Sequence, residues 1–563
     1  MLQPTALPNI RSIPWIVALI HAAGLFLALA WWGQRGLPFS MGRVNETGQS
    51  VAVSNQANKE DRAKALLPCV SYSPFRHPGI NPFNPQARVS PAQIESDLRI
   101  LLTRTRCVRT YGLTQGLEAV PGIAAHLGMR VKLGVWLARD ATENQKQIDL
   151  GVALARQFPG VIDLLVVGNE VLLRREMTPE ALGNVLDYAR ERSPVPVTYA
   201  DVWEFWLRNS QLAARVDLVT VHILPYWEDD PVALHDAVSH VFAIAAKLEK
   251  HFAGKPVWIG ETGWPAAGRQ RAGAVPGRVE QIRFVSELAQ RSQSKHLGAA
   301  VLDFNLIEAF DQPWKRSFEG AMGGYWGLFD ALGQPRGTNA NEIVEDTNWW
   351  RGWVGALVGG LIVAVAATRF RQVSALRTWP AMFAGATLGA LVPVQWLMVQ
   401  QWDRTLGEQG LSAILAALSA LTTGIFVLGG TSSGSVWKRF ALTMRTLVLF
   451  AAATAALVLL LDPRYRPFPW WWFLAPAVTW LACCVRAVAA PVACFGDPTR
   501  QQNLLAAVVA GCAVGIVLAE GWRNTQALQY GAVLLLLAGA SSFGSRVSAS
   551  KASKAAGAHN SVV

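Results

Sequence analysis

The sequence is poor in several patterns on which common functions depend. Its six cysteines show no Cys-x-x-Cys spacing, and only 16% of its 563 residues are charged. The basic residues behind the net charge of +12 are scattered along the chain, whereas a nucleic-acid-binding face needs them clustered. No glycine-rich phosphate loop follows the first predicted strand, which argues against a nucleotide-binding open sheet. We therefore predict no nucleic-acid partner, no cofactor and no metal.

Apolar residues, in contrast, are abundant. They make up 51% of the chain and the mean hydropathy is +0.24, and such values point to membrane segments. The first apolar run, residues 13–32, follows Arg11 and is long enough to span a bilayer. Ala28-Leu29-Ala30 resembles a signal-peptide cleavage site. The length of the run and the Trp31-Trp32 pair nevertheless favour an uncleaved anchor over residues 1–33.

Seven further apolar runs follow from Trp349 onward. They lie at about 349–367, 379–400, 409–430, 441–461, 469–485, 503–520 and 526–543. With a cytoplasmic N-terminus, most basic loop residues fall on the inside, as the positive-inside rule requires. These residues are Arg369, Arg371, Arg377, Lys438, Arg439, Arg486, Arg500, Arg546, Lys551 and Lys554. We predict eight spans in all, with a bundle at 349–545, a tail at 546–563 and both termini cytoplasmic.

The predicted bundle has almost no charge near the middle of a span. Charged groups at that depth usually mark transport or catalysis. A packed anchor in the lipid bilayer is therefore the favoured interpretation, and a lipid- or glucan-handling role is the alternative.

The region between anchor and bundle, residues 34–348, is polar and alternates short apolar runs with helical patterns. The runs are PCVSYSP (68–74), CVRTYG (107–112), VKLGVWL (131–137), IDLLVVGNE (162–170), PVTYAD (196–201), LVTVHI (218–223), PVWIGE (256–261) and AAVLDFN (299–305). Eight strands alternating with helices over about 280 residues predict a (β/α)8 barrel. A doubly wound open sheet is the alternative. Cys69 and Cys107 either pair, if this part lies outside the cytosol, or remain buried thiols.

Two predicted strands end in a glutamate. Asn169-Glu170 ends the fourth strand and Glu261 ends the seventh, and strand ends gather at one mouth of such a barrel. Paired carboxylates at one mouth are what glycoside cleavage requires. Glu308 is interpreted as a loop charge, with a third acid in the cleft as the alternative, and His222 is interpreted as either a packed residue or a ligand. Six tryptophans near the later strands suit the faces of sugar rings: Trp203, Trp206, Trp227, Trp264, Trp314 and Trp326.

These motifs together resemble glycoside hydrolase family 17, the β-1,3-glucanase family of retaining (β/α)8 glycosidases. LLVVGNE with Glu170 and VWIGETGWP with Glu261 carry the resemblance, in that order along the chain. VSYSPFR (70–76) and VRTYG (108–112) fit the first and second strands of the family. The resemblance covers about residues 66–335 and is specific because both glutamate motifs occur together.

The resemblance implies a role for each matching residue. Glu170 would be the acid/base and Glu261 the nucleophile, and Asn169 would contact the sugar 2-hydroxyl. Tyr226 would hold the nucleophile through its phenol. The remaining substrate-binding candidates are Tyr72, Tyr111, Tyr199, Trp264 and Trp314.

An exported barrel joined to a membrane bundle is similar to the bacterial membrane-bound members of the family. Those members are β-glucan transglycosylases, also described as β-(1,6)-glucan synthase-like. The resemblance implies a periplasmic catalytic domain on the inner membrane that transfers β-glucan to an acceptor by β-1,6 or β-1,3 linkage, with a membrane glucan synthase as candidate partner. The alternatives are an endo-β-1,3-glucanase and a non-catalytic glucan-binding or export protein.

Overall fold

The computed structural model describes residues 13–36, 39–40, 43–44, 50–51, 67–77, 79–293, 303–336, 342–371, 375–429, 435–489 and 498–559. It divides into two compact units. One comprises Phe39–Ile343, and the other combines Met1–Pro38 with Val344–Val563. The division into an anchor, a catalytic domain, a bundle and a tail at the boundaries given above remains a prediction.

The first unit contains a closed barrel of eight parallel strands. They are β1 (Cys69–Ser71), β2 (Cys107–Arg109), β3 (Arg130–Val135), β4 (Ile162–Asn169), β5 (Val197–Val202), β6 (Val219–His222), β7 (Val257–Thr262) and β8 (Phe304–Leu306). Each strand pairs with its neighbour in the chain, and β8 closes the barrel against β1. The structure confirms the (β/α)8 prediction, and the open doubly wound sheet is wrong.

Helices follow the strands around this barrel. They are α2 (Pro91–Leu101), α3 (Val120–His126), α4 (Ala141–Gln157), α5 (Pro179–Arg192), α6 (Trp203–Arg208), α7 (Leu234–His251), α8 (Arg278–Gln293) and the short α9 (Arg316–Glu319). Several begin at a capping side chain, which satisfies backbone N–H groups that the helix leaves free. Ser90 caps α2 and Thr178 caps α5, each followed by a proline at the first helical position, and Asp140 caps α4.

Cys69 and Cys107 form a disulfide. Each cysteine is the first residue of its strand, and β1 and β2 pair in parallel with Val70 opposite Val108. The structure therefore favours the paired alternative over two buried thiols.

The second unit consists of helices. They are α1 (Ile13–Gln34), α10 (Arg351–Arg371), α11 (Ala375–Trp402), α12 (Leu406–Gly429), α13 (Ser435–Leu461), α14 (Trp470–Ala489), α15 (Arg500–Glu520) and α16 (Thr525–His559). Each predicted span thus overlaps one helix. Among the described residues, three helices are long and apolar enough to cross a membrane, at Trp379–Trp402, Val436–Leu461 and Arg500–Glu520. The other five spans stay predictions.

Helices α10 and α11 pack closely through glycines. A Cβ added at Gly355 would lie 2.2 Å from the Gly389 carbonyl oxygen, and one added at Gly359 would lie 2.2 Å from that of Gly385. Small residues permit such an approach of two helix backbones.

Candidate active site

The two glutamates predicted to act in catalysis lie together at the C-terminal ends of their strands. Glu170 directly follows β4, and its backbone adopts the left-handed region with a φ of 52°. Glu261 lies in β7, next to the last residue of that strand. One carboxylate oxygen of Glu170, one ring nitrogen of His222 and one carboxylate oxygen of Glu261 all lie within 4.8 Å of one another. Barrel closure therefore brings the carboxylates to opposite sides of one small space.

Arg109 links Glu261, the nucleophile candidate, to Asn169 on β4. Its Nη1 donates to Glu261 Oε1 at 2.5 Å, and its Nη2 donates to Asn169 Oδ1 at 2.5 Å. Tyr111 donates its hydroxyl to the same Glu261 oxygen at 2.8 Å. Arg109 and Glu261 are both almost fully buried. The guanidinium therefore fixes the position of Glu261 and of the Asn169 amide at once.

Glu261 is held in its ionised form. Burial by itself would raise the pKa of this carboxyl, but His222, Arg109 and Lys315 oppose it with positive charge and a hydrogen bond. Their combined effect holds the pKa below its ordinary value. A carboxylate in this state is able to attack an electrophilic carbon.

His222 lies between the two carboxylates. Its Nδ1 is 3.1 Å from Glu170 Oε1 and its Nε2 is 3.6 Å from Glu261 Oε1. The side chain is fully buried, so its position is set by packing. His222 is therefore part of the site, a position that its sequence context left open.

The spacing of Glu170, His222 and Glu261 alone would permit a metal ion. The charges argue against one, because Arg109 already lies 2.5 Å from the shared Glu261 oxygen. A cation bound there would meet the guanidinium at close range, which is unfavourable in a buried site.

A second acidic group lies beside the glutamate pair. Lys315 Nζ is 3.0 Å from both carboxylate oxygens of Glu308. Burial raises the pKa of Glu308 to about 7 although Lys315 opposes the shift. Burial also raises the pKa of Glu319 to about 7, and this carboxyl interacts electrostatically with Lys315, Glu170 and Glu261. Glu308 is thus fully buried rather than a loop charge.

The sequence did not indicate the roles of Arg109, Lys315 and Glu319. Arg109 ends β2, so its position at the mouth was a usable signal. Lys315 and Glu319 belong to the segment after β8 and carry no motif. Only the path of that segment over the mouth brings them to the site.

The tyrosine that contacts Glu261 differs from the expected one. Tyr226 donates its hydroxyl to the backbone carbonyl of Arg269 and packs against Trp264 and Trp326. Tyr111 bonds Glu261 instead. The reason is geometric, because Tyr226 lies beyond the end of β6 with its ring turned into the aromatic core.

Three other substrate-binding candidates are buried. Tyr199 bonds Asp201, Tyr72 bonds Asp97, and Trp264 donates to the Val275 carbonyl. Tyr199 is 1% exposed, and Tyr72 and Trp264 are 0% exposed. None of them offers a free surface to a sugar ring. Tyr111 and Trp314 are half-buried and keep such a surface, and Asn169, 9% exposed, faces the site through Arg109.

Comparisons with known proteins identify similar glycoside hydrolases. Residues 69–327 match the BtgE/BtgC glycoside hydrolase domain. A glucan 1,3-beta-glucosidase of Candida albicans is 24% identical over 260 residues, which is 42% of this chain and 82% of that protein. A probable beta-glucosidase btgE of Aspergillus fumigatus is 26% identical over 232 residues, 40% of this chain and 39% of that protein.

A solved structure of a glycoside hydrolase family 17 beta-1,3-glucanosyltransferase from Rhizomucor miehei is also similar. It is 22% identical with a TM-score of 0.42, and the match covers 51% of this chain and 99% of that one. From the domain match and the curated relatives, we conclude that the chain is an enzyme with a glycoside hydrolase domain, and that this domain is similar to the BtgE/BtgC domain.

Proposed function

We propose that the barrel is a retaining β-glucan transglycosylase that cleaves β-1,3-glucan and passes the glucosyl chain to an acceptor. One observation carries the proposal: a carboxylate oxygen of Glu170 and one of Glu261 lie within 4.8 Å of each other across the mouth. Retaining glycosidases place their carboxyl groups about 5–5.5 Å apart, and inverting enzymes about 6.5–9.5 Å apart. The short separation leaves no room for a water between carboxylate and sugar, so it supports attack by Glu261 itself.

In the first step, a Glu261 oxygen attacks the anomeric carbon of the donor. Glu170 gives its proton to the leaving glycosidic oxygen as the old bond breaks. The products are a glucosyl–Glu261 ester and a released glucan bearing a new hydroxyl. Arg109 and Tyr111 orient the attacking carboxylate through their hydrogen bonds, and the Asn169 amide is placed to meet the sugar 2-hydroxyl.

In the second step, an acceptor hydroxyl attacks the same carbon. Glu170, now ionised, takes the proton of that hydroxyl, and the ester bond to Glu261 breaks. His222 remains within reach of both carboxylates as the negative charge moves from one to the other. Water in place of the acceptor would give hydrolysis from the same ester.

The substrate class rests on the relatives, whose names specify glucan 1,3-beta-glucosidase activity. We favour transfer over hydrolysis because a hydrolase held beside a glucan-producing membrane would destroy the product. The acceptor hydroxyl that faces the anomeric carbon would decide between β-1,6 and β-1,3 linkage.

We further propose that the enzyme is anchored in a bacterial inner membrane with its barrel in the periplasm, where a membrane glucan synthase would supply glucan. The Cys69–Cys107 disulfide supports export, because disulfides persist in oxidising compartments. The three apolar helices support membrane insertion.

The test is the product profile of the full chain in detergent micelles, on reducing-end-labelled β-1,3-gluco-oligosaccharides, beside Glu261→Ala. Products longer than the donor, absent in the variant, are expected, and linkage analysis then names the new bond. Shorter products alone would make the protein an endo-β-1,3-glucanase. Binding without turnover by the unmodified chain would overturn the enzymatic proposal and favour a glucan-binding role.

A further inference from the structure

Three aromatic rings form an exposed cluster at the barrel mouth. Phe83 lies in the segment between β1 and α2, whereas Trp314 and Phe318 follow β8. The ring centroids of Phe83 are 5.5 Å from Trp314 and 5.2 Å from Phe318, and those of Trp314 and Phe318 are 6.4 Å apart. We call Phe83, Trp314 and Phe318 the aromatic platform.

The platform exposes far more apolar surface than folding requires. Phe83 is 60% exposed and Phe318 is 54% exposed, and they are the only strongly exposed phenylalanines in the described part of the barrel unit. Clustered exposed aromatic rings in a soluble domain mark a binding surface more often than single ones do. The platform is therefore suited to bind a ligand with apolar faces.

The platform is also linked to the site through Trp314 and the residues next to it in the chain. Trp314 Nε1 donates to Gln312 Oε1 at 2.8 Å, and Gln312 is itself fully buried and bonded to Ser73. The next residue, Lys315, bonds Glu308 inside the site. Trp314 is thus adjacent in the chain to a residue whose side chain contacts the site.

The position of the platform identifies the part of the substrate that reaches it. The mouth is built from the segments that follow the strands, and β8 lies opposite β4 in the closed strand order. Glu170, after β4, protonates the leaving oxygen in the proposed mechanism, so the leaving group and the acceptor lie on the β4 side. The opposite rim therefore faces the glycosyl part of the donor.

We infer that the aromatic platform is a remote donor subsite, which binds glucose units of a β-1,3-glucan chain on the non-reducing side of the cleaved bond. The apolar faces of glucopyranose rings stack on such aromatic surfaces as ligand and protein both leave water. The platform would make long donors better substrates than short ones. This inference rests on the proposed function for its direction along the glucan chain.

The experiment measures binding, so it does not depend on turnover. The full chain carrying Glu261→Gln in detergent micelles is titrated calorimetrically with laminaritriose and with laminariheptaose, with and without Phe83→Ala and Phe318→Ala together. The ratio of the laminariheptaose affinity to the laminaritriose affinity is expected to fall about tenfold in the double alanine variant, since each lost ring contact contributes modestly. Phe83→Tyr with Phe318→Tyr is expected to restore the ratio. Leu150→Ala, at an exposed apolar position on α4, is the matched control and should leave it unchanged.

An unchanged ratio in the double alanine variant would overturn the platform, even if both affinities fell by the same factor. Absence of binding by either sugar to the starting chain would overturn it as well. The proposed function fails separately: a platform-dependent ratio without any turnover by the unmodified chain would leave a glucan-binding surface and remove the transglycosylase.

Discussion

At the scale of single residues, Arg109 is the side chain on which the site depends most. It donates to Glu261 and to Asn169 from one planar guanidinium. A lysine at this position carries the same charge but cannot direct two donors to two fixed acceptors. The position and the ionisation of Glu261 are therefore linked through one residue.

We predict that Arg109→Lys weakens both effects. The pKa of Glu261 should rise, because one of the groups that lower it is displaced. Glu261 must be ionised to attack, so a higher pKa moves the acidic limb of the kcat/KM profile to higher pH, by about one unit. kcat/KM at the optimum should fall roughly 10- to 100-fold.

The measurement is the pH dependence of kcat/KM on one β-1,3-gluco-oligosaccharide. Arg99→Lys is the control, because Arg99 is exposed on α2 and pairs with Glu95. An acidic limb at the same pH in both variants would show that Arg109 does not set the ionisation of Glu261.

Glu170→Gln should separate the two steps of the reaction. The amide neither gives nor takes the proton, so turnover of oligosaccharides should fall about 10²- to 10⁴-fold. From a nitrophenyl β-glucoside donor, nitrophenolate leaves without being protonated. Formation of the glucosyl–Glu261 ester from this donor should therefore be much less affected. Rapid-quench kinetics on both donors measures this difference. Equal losses on the two donors would argue against Glu170 as the acid, and Glu143→Gln on the exposed face of α4 controls for loss of charge.

At the scale of elements, the barrel and the helical unit depend on close contacts of different kinds. In the barrel, segments that follow the strands assemble the site, so short changes there alter chemistry. In the helical unit, glycines let α10 and α11 approach so closely that no side chain fits between them. Stability should therefore respond sharply to the size of the residue at these glycines.

Gly355→Ala should destabilise the helical unit by about 1–3 kcal/mol, because its Cβ would lie 2.2 Å from the Gly389 carbonyl oxygen. Gly511→Ala on α15 should be neutral or stabilising, because nothing lies within 4 Å of its added Cβ and alanine favours helix. Thermal unfolding of both variants in one detergent measures the difference. A lower unfolding temperature for Gly511→Ala than for Gly355→Ala would contradict the packing of α10 and α11.

At the scale of the whole molecule, the eight predicted spans place both termini in the cytoplasm and the loop near Glu408 outside. A membrane-impermeant maleimide should label Glu408→Cys in intact spheroplasts, but label Ser550→Cys only after lysis. The physical reason is the excess of basic residues in the loops assigned to the inside. The unsubstituted chain, labelled in the same way, is the control for its six native cysteines. Labelling of Ser550→Cys in intact spheroplasts would contradict a cytoplasmic C-terminus.

A membrane unit would also benefit the proposed transglycosylase. Three helices of the second unit are suited to cross a bilayer, and we propose that a membrane glucan synthase makes the donor and acceptor close to that bilayer. An anchor keeps the barrel at a high local concentration of such chains without any added contact.

The sequence by itself determined the order and type of the elements. Alternation of apolar runs and helical patterns is a short-range property, so seven of the eight barrel strands were located to within a few residues. The eighth predicted run, 299–305, overlaps β8 at Phe304 and Asn305, and its residues 299–302 lie outside the described part of the chain. The glutamates at the ends of β4 and β7 could be identified for the same reason. A strand end is a local feature, and parallel strands in a closed barrel must end at the same mouth.

Only the tertiary structure decided which side chains meet there. Tyr111 and Tyr226 both lie near strand ends, yet Tyr111 contacts Glu261 and Tyr226 points into the core. Arg109 reaches two other strands, and Lys315 arrives from a segment without a motif. Such contacts depend on barrel closure, side-chain rotamers and competition for buried space. These factors act between residues distant in the chain, so no local pattern records them.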